Sequence, residues 1–309
     1  MAQQGLGKEA PSFVPARHER SAPRRSPSWL FLVPALALYV FILVIPSLRG
    51  IAYSFTDWNG VSAAFNFVGL DNFARLVTDP FGRGAVMNTV LLATGITVLQ
   101  VITGLLLALA LNSAIKGRNF LRVLFFAPVM VMPVVTSYLW KYILGGSGAL
   151  NQILQAVGLS QVAQPWLGQR ETALVWIILV AVWQGAGVTM AIYLAGLQTI
   201  PREIREAVDL DGAGPWARLW YITMPLLRPA TSVATLLVLI GSLKLFDQVW
   251  VLTQGGPANS TDTLATTIYR TSFAFGEFSY GVTLAVALSL IVAVIAIIQQ
   301  RVANRRTSA

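Results

Sequence analysis

Lys244 and Asp247 are ionisable residues embedded in a long apolar run. Burying charge in an apolar medium is expensive, so such residues are functional candidates. Three apart on a helix, they share a face and can pair. A structural ion pair, a lysine reaching out to the membrane interface and the lining of a polar cavity all fit this spacing. Ser242 and Gln248 add hydrogen-bonding groups beside them. A second constellation is W-Q-G-A-G at 183–187. The ring of Trp183 suits stacking on a pyranose, and the amide of Gln184 suits its hydroxyls. Gly185 and Gly187 permit close helix approach, or a local break where backbone meets ligand. Ordinary small-residue packing is the competing explanation for both glycines.

Covalent chemistry finds no support. The 309 residues contain no cysteine, hence no disulfide, thiolate metal site or thiol nucleophile. The single histidine, His18, sits in a Pro/Ser/Arg-rich stretch and reads as solvated. No His/Glu metal pair and no serine with a plausible base is visible, so no catalytic and no metal-binding residues are assigned. The phosphate-cradling pattern G-x-x-x-x-G-K-[ST] is also absent, since Gly7-Lys8 is followed by Glu9. No cofactor is expected in this chain.

The elements that position these residues follow from composition. The chain is 55% hydrophobic and 11% charged, against about 25% charged for soluble domains. Apolar runs of about twenty residues recur, which indicates an integral membrane protein. The net charge of +9 is accounted for by basic residues flanking spans rather than by nucleic-acid binding. Six spans are expected, at about 29–49, 86–111, 120–142, 172–197, 230–253 and 280–299. Residues 1–28 read as a flexible basic tail, and 300–309 as a second tail. The run from Trp29 is too long for a signal peptide, and no cleavage site follows closely. Pro128 and Pro133 should kink the third span, while Tyr138 and Trp140 suit an interfacial aromatic belt. Between spans, V-G-L-D-N-F (68–73), P-W-L-G (165–168) and G-G-P-A-N-S-T (255–261) read as structured turns.

Basic residues set the orientation. Fifteen Lys and Arg fall on the side holding both termini, the 112–122 link and the 199–229 stretch, six fall on the other, and Lys244 is inside a span. The positive-inside rule places both termini in the cytoplasm. Residues 199–229 form a charged island between the fourth and fifth spans, carrying four basic and four acidic residues. Thr199 is expected to cap a helix that Pro201 and Glu203 favour at its first turn and Gly212 stops at Asp211. Gly214-Pro215 turns the chain into a second short helix, Trp216 to Met224, ended by Pro225 and Pro229. Its balanced charge suits a protein partner better than lipid headgroups.

The segment E-A-V-D-L-D-G-A-G-P-W-A-R-L-W-Y-I-T-M-P (206–225) resembles the cytoplasmic E-A-A…G…I-x-L-P loop of binding-protein-dependent ABC importer permeases. Glu206, Ala207, Gly212, Ile222 and Pro225 fit; Val208 and Met224 depart by mild apolar changes. V-G-L-D-N-F, L-F-D-Q-V-W-V-L-T-Q-G-G-P (245–257), S-T-D-T-L (260–264) and the aromatic run Tyr269 to Tyr280 are similar to the carbohydrate branch of maltose- and glycerol-phosphate-type permeases. The likeness covers about 28–300. It implies an all-α membrane protein of six transmembrane helices with the type I importer permease fold and a cytoplasmic coupling helix. It implies partners as well: a second homologous permease, two ATPase subunits, an extracytoplasmic solute-binding protein and a sugar substrate. The location implied is a bacterial or archaeal cytoplasmic membrane.

Coupling to the ATPase would fall to Glu203, Glu206, Ala207, Asp209, Asp211, Gly212 and Pro225. The substrate path would run near Gly185 and from Gly241 to Leu245, where Gly241 and Leu245 themselves offer no side-chain hydrogen bond. Trp183, Gln184, Ser242, Lys244, Asp247 and Gln248 complete the candidates. Three rivals are an ion-coupled secondary transporter, for which Asp247 is the one acidic residue in a span core, an intramembrane enzyme, and an importer of a non-sugar solute.

Overall fold

A computed structural model describes residues 31–113 and 115–307. The expected tail 1–28, including His18, lies outside the described residues. The chain forms two compact units, Met1–Leu48 and Arg49–Ala309. Leu32–Tyr53 forms α1, an apolar helix long enough to cross a membrane. No residue of its best apolar window is buried.

The second unit is a helical bundle. Its elements are α2 (Asp71–Thr78), α3 (Pro80–Asn112), α4 (Arg118–Met130), α5 (Pro133–Ile143), α6 (Ala149–Ala156) and α7 (Arg170–Gln198). There follow α8 (Arg202–Leu210), α9 (Pro215–Leu226), α10 (Arg228–Leu243), α11 (Asp247–Leu252), α12 (Leu264–Tyr269) and α13 (Phe278–Thr307). Among the described residues the one β feature is an isolated bridge, Thr56 to Phe67. Helices α1, α3, α7 and α13 meet the length and apolarity of spans, and counting each of the bent pairs α4–α5 and α9–α10 as one candidate gives up to six.

Three apolar clusters hold the bundle. At its middle, Leu92 and Ile96 of α3 meet Ile177 and Val180 of α7, Val238 of α10 and Val249 of α11. Towards the α8 end, Ala108 and Leu111 pack with Met190, Tyr193, Leu227 and Ala234. At the opposite end, Ala85 packs with Leu264, Tyr280 and Leu284. In lipid such packing is driven by close van der Waals fit rather than by removal from water, and small residues at the contact allow it. At Gly104 of α3, an added Cβ would overlap Thr189 of α7.

Two expected spans are broken. The third bends by 97° between α4 and α5. Pro128 sits in a tight 3-10 turn, Ala127–Met130. Val131 and Met132 are extended, and Pro133 opens α5; a residue before proline is pushed out of the helical region. The expected kink is therefore a full break. The fifth span, read as continuous over 230–253, stops at Leu243 and resumes at Asp247. Gly241 and Ser242 weaken the helix end, one by backbone freedom and the other by a side-chain bond back to Val238 O at 2.7 Å. Beyond the break, Phe246 stacks on Trp250 at 5.7 Å and packs on Tyr269 at 5.6 Å.

Candidate functional site

The charged island folds as two short helices at one end of the bundle. Helix α8 is capped by Pro201, not Thr199. The Thr199 hydroxyl turns back to Gly196 O at 2.8 Å, closing α7, so the expected N-cap serves the helix before it. At the other end Gly212 takes φ +67°. Its N–H reaches Asp209 O and the Ala213 N–H reaches Val208 O, both at 3.4 Å. This is a Schellman stop, and it needs a residue that tolerates the left-handed region. Val208 is buried, whereas Glu203, Glu206, Ala207, Asp209 and Asp211 are exposed. Arg202 donates to Glu206 at 2.7 Å along the helix, and Arg218 of α9 donates to Asp209 at 2.8 Å. The second bond links the two helices. Pro225 lies inside α9 rather than ending it, and the chain bends by 67° before α10. Leu210, Trp216 and Tyr221 leave large apolar side chains exposed on this hairpin.

The polar candidates of the fourth and fifth spans do meet. Gln248 of α11 donates to Gln184 Oε1 at 2.6 Å, and Gln184 donates onward to Val131 O at 2.9 Å. Val131 is the extended residue of the third-span break. One amide relay thus links three spans, two of them at their breaks. Gln248 Oε1 is buried without a partner. Trp183 is half exposed and meets the edge of Trp140 at 5.5 Å. Helix α7 is unbroken, so of the two roles open to Gly185 and Gly187 the structure takes close approach. Gln100 of α3 donates to Gly185 O at 3.0 Å, and a Cβ there would strike that amide.

Lys244 and Asp247 do not pair among the described residues. The helix break falls between them, so the three-residue spacing no longer puts them on one face; both are exposed. Gly241 is exposed with open space around its Cα, Ser242 is buried in its own back-bond, and Leu245 packs on the central cluster. Gln248→Leu removes the donor to Gln184 Oε1 and is expected to cost about 1–3 kcal/mol. Thermal unfolding of the detergent-solubilised chain checks this. The Gln184→Leu, Gln248→Leu double variant should lose less than the two single losses summed.

At the end opposite α8, the breaker-rich turn is held by residues that spacing did not single out. Asp262 is buried and accepts from Arg270 at 2.6 Å and from Thr266 at 3.0 Å. Arg270 also donates to Gln254 O at 2.6 Å and Asn259 Oδ1 at 3.1 Å. Asn88 of α3 donates to Asp262 O at 2.9 Å. Burial pushes the Asp262 carboxyl above the ordinary aspartate value, with Arg270 opposing. In the other turns, Asn72 binds Ser54 O and Thr56 O, and Trp166 donates to Asn151 at 2.8 Å. A charge flanking a glycine-rich turn was the available signal for Arg270 and Asp262. For Gln100 it was an amide within an apolar span.

Among the described residues no group of three His, Asp or Glu side chains could hold a metal ion.

Comparison with known proteins places this geometry. The chain is 33% identical over 277 residues to the multiple sugar-binding transport system permease protein MsmF of Streptococcus mutans, covering 90% of this chain and 95% of that one. It is 36% identical over 282 residues to the lactose transport system permease protein LacF of Rhizobium radiobacter, covering 90% and 94%. The fold matches a chain of a bacterial ABC transporter involved in import of the acidic polysaccharide alginate, with TM-score 0.80 and 22% identity over 90% of this chain and 95% of that one. Residues 100–308 match the family described as binding-protein-dependent transport system inner membrane component. With two thirds of its length inside that match, an all-helical fold and near full-length relatives, the chain belongs to this family of ABC importer permeases, transport subunits rather than enzymes.

Proposed function

We propose that this chain is one permease of an ATP-driven sugar importer. It pairs with a second permease, receives energy from two ATPase subunits that hold ATP and Mg, and takes its sugar from a solute-binding protein on the opposite face. The termini and α8 lie on the cytoplasmic side, as the basic residues indicate. The observation that carries the reading is the α8–α9 hairpin: a charge-linked element at one bundle end, with Glu203, Glu206, Asp209 and Asp211 exposed and Val208 buried. Such an element passes motion from a partner to α7 and α10, which it joins. Glu203, Glu206, Ala207, Asp209, Asp211 and Gly212 form its outer surface, and Pro225 lies near its junction with α10. The names of the relatives support the sugar class.

The substrate path runs beside the Gln184–Gln248 relay. Trp183 offers a ring face, Lys244 and Asp247 add exposed charge, and Gly241 leaves space. Buried Ser242 and partly buried Leu245 and Gly185 shape the wall. The chain itself contributes only a difference in contact free energy between transport states.

Reconstitution in vesicles tests this. Sugar uptake should require the ATPase subunits, ATP and the binding protein. Uptake driven by a proton or sodium gradient without an ATPase would replace this reading with a secondary transporter. ATP-driven uptake of a different solute would overturn the sugar class alone.

A further inference from the structure

Between α4 and α7 runs an apolar groove of about 540 Å³. Val123, Phe126 and Met130 wall it on one side, and Met190 and Leu194 on the other. Its one charged lining residue is Arg122. That guanidinium spends one N–H on Leu111 O at 3.0 Å, at the end of α3. Its Nε is buried with no partner. Arg118, one turn earlier, continues the 122–126–130 stripe beyond the groove and is exposed, with Lys116 just before it. No ion pair engages any of these three cations among the described residues.

From this arrangement we infer a binding site for an anionic phospholipid, with an acyl chain in the groove and its phosphate on Arg122 and Arg118. Basic pockets between transmembrane helices favour anionic headgroups, and arginine meets phosphate oxygens with several N–H donors at once. The site lies where an apolar run ends and a basic link begins, which is the depth at which a phosphate sits. A lipid fits better than a neighbouring protein helix. Around Gly187, α7 approaches the backbone of Phe125 and Phe126 so closely that an added Cβ would collide. A groove between helices this close admits a slender chain, not a cylinder about 10 Å across. The inference needs only that the chain is membrane-embedded, and it stands apart from the sugar assignment.

The assembled transporter, delipidated in detergent, provides the test. Native mass spectrometry and thermal unfolding would be followed on adding phosphatidylglycerol, phosphatidylcholine of the same acyl chains, or inorganic phosphate. Retention of phosphatidylglycerol and a rise in Tm with that lipid alone are expected. Arg118→Gln should weaken its binding by about fivefold. Ala191→Phe, which fills the groove and leaves both arginines in place, should abolish it. Because Arg122 also closes the end of α3, Arg122→Gln is a third arm rather than the deciding one. Equal binding of the two lipids would refute the anionic site, and an equal effect of phosphate alone would refute the lipid. Loss of the second permease on filling the groove, with lipid binding unchanged, would show a protein interface instead.

Discussion

Glu206→Lys should abolish ATP-driven uptake, by about 100-fold or more, while the chain still inserts and unfolds at its usual temperature. Glu206 is exposed and holds Arg202 by an i,i+4 pair. Such surface pairs contribute only about 0.3–0.5 kcal/mol to stability, so the fold tolerates its loss. A docking surface does not: like charge facing a partner costs several kcal/mol, and each 1.4 kcal/mol is about tenfold in an equilibrium constant. Gly212→Val should act alike for another reason, since φ +67° is strained for a branched side chain and the Schellman stop would reorganise. Uptake in vesicles, with circular dichroism and size-exclusion profiles as controls, reads both variants. Wild-type uptake in both would remove the coupling role from α8.

Arg270→Met acts at the other end and on stability. It leaves the Asp262 carboxylate, itself 8% exposed, without its cation, a loss of about 3–5 kcal/mol. The 254–262 turn loses its ties to Gln254 and Asn259 in the same step. The pH dependence has a definite sign. Burial already raises the folded-state pKa of Asp262 above its unfolded value, and removing Arg270 raises it further. A raised carboxyl favours the folded state below the unfolded pKa, and that contribution is lost as pH rises through the folded value. The variant's deficit relative to wild type should therefore be larger at neutral pH than in mild acid, as measured by Tm across that range. A deficit independent of pH would mean that Asp262 is not left charged and buried.

Sequence made the helical membrane class legible because length and apolarity alone select spans. It also made α8 legible: proline, glycine and paired charges punctuate residues 199–215 in a chain that otherwise has few charges. The break at 244–246 was not legible, since Leu245 and Phe246 continue the apolar run and only the packing of Phe246 on Trp250 and Tyr269 fixes the turn. The helical spacing that lets Lys244 and Asp247 share a face fails for the same reason, because the break falls between them. The Gln248–Gln184–Val131 relay joins residues more than fifty positions apart, which local periodicity does not reach. Thr199 shows the limit of capping rules: a good cap residue between two helices can serve either.

The absence of cysteine makes the central claim directly measurable. Ala207→Cys introduces a lone thiol on exposed α8, and each ATPase subunit can carry a single cysteine in turn, in an otherwise cysteine-free complex. If α8 is where the ATPase docks, a short bismaleimide should join Ala207→Cys to an ATPase subunit in high yield, with the yield changing when ATP is added. A matching cysteine at Val61, on the opposite loop, should give none. Equal or absent cross-linking from the two positions in a complex that transports sugar would contradict the account.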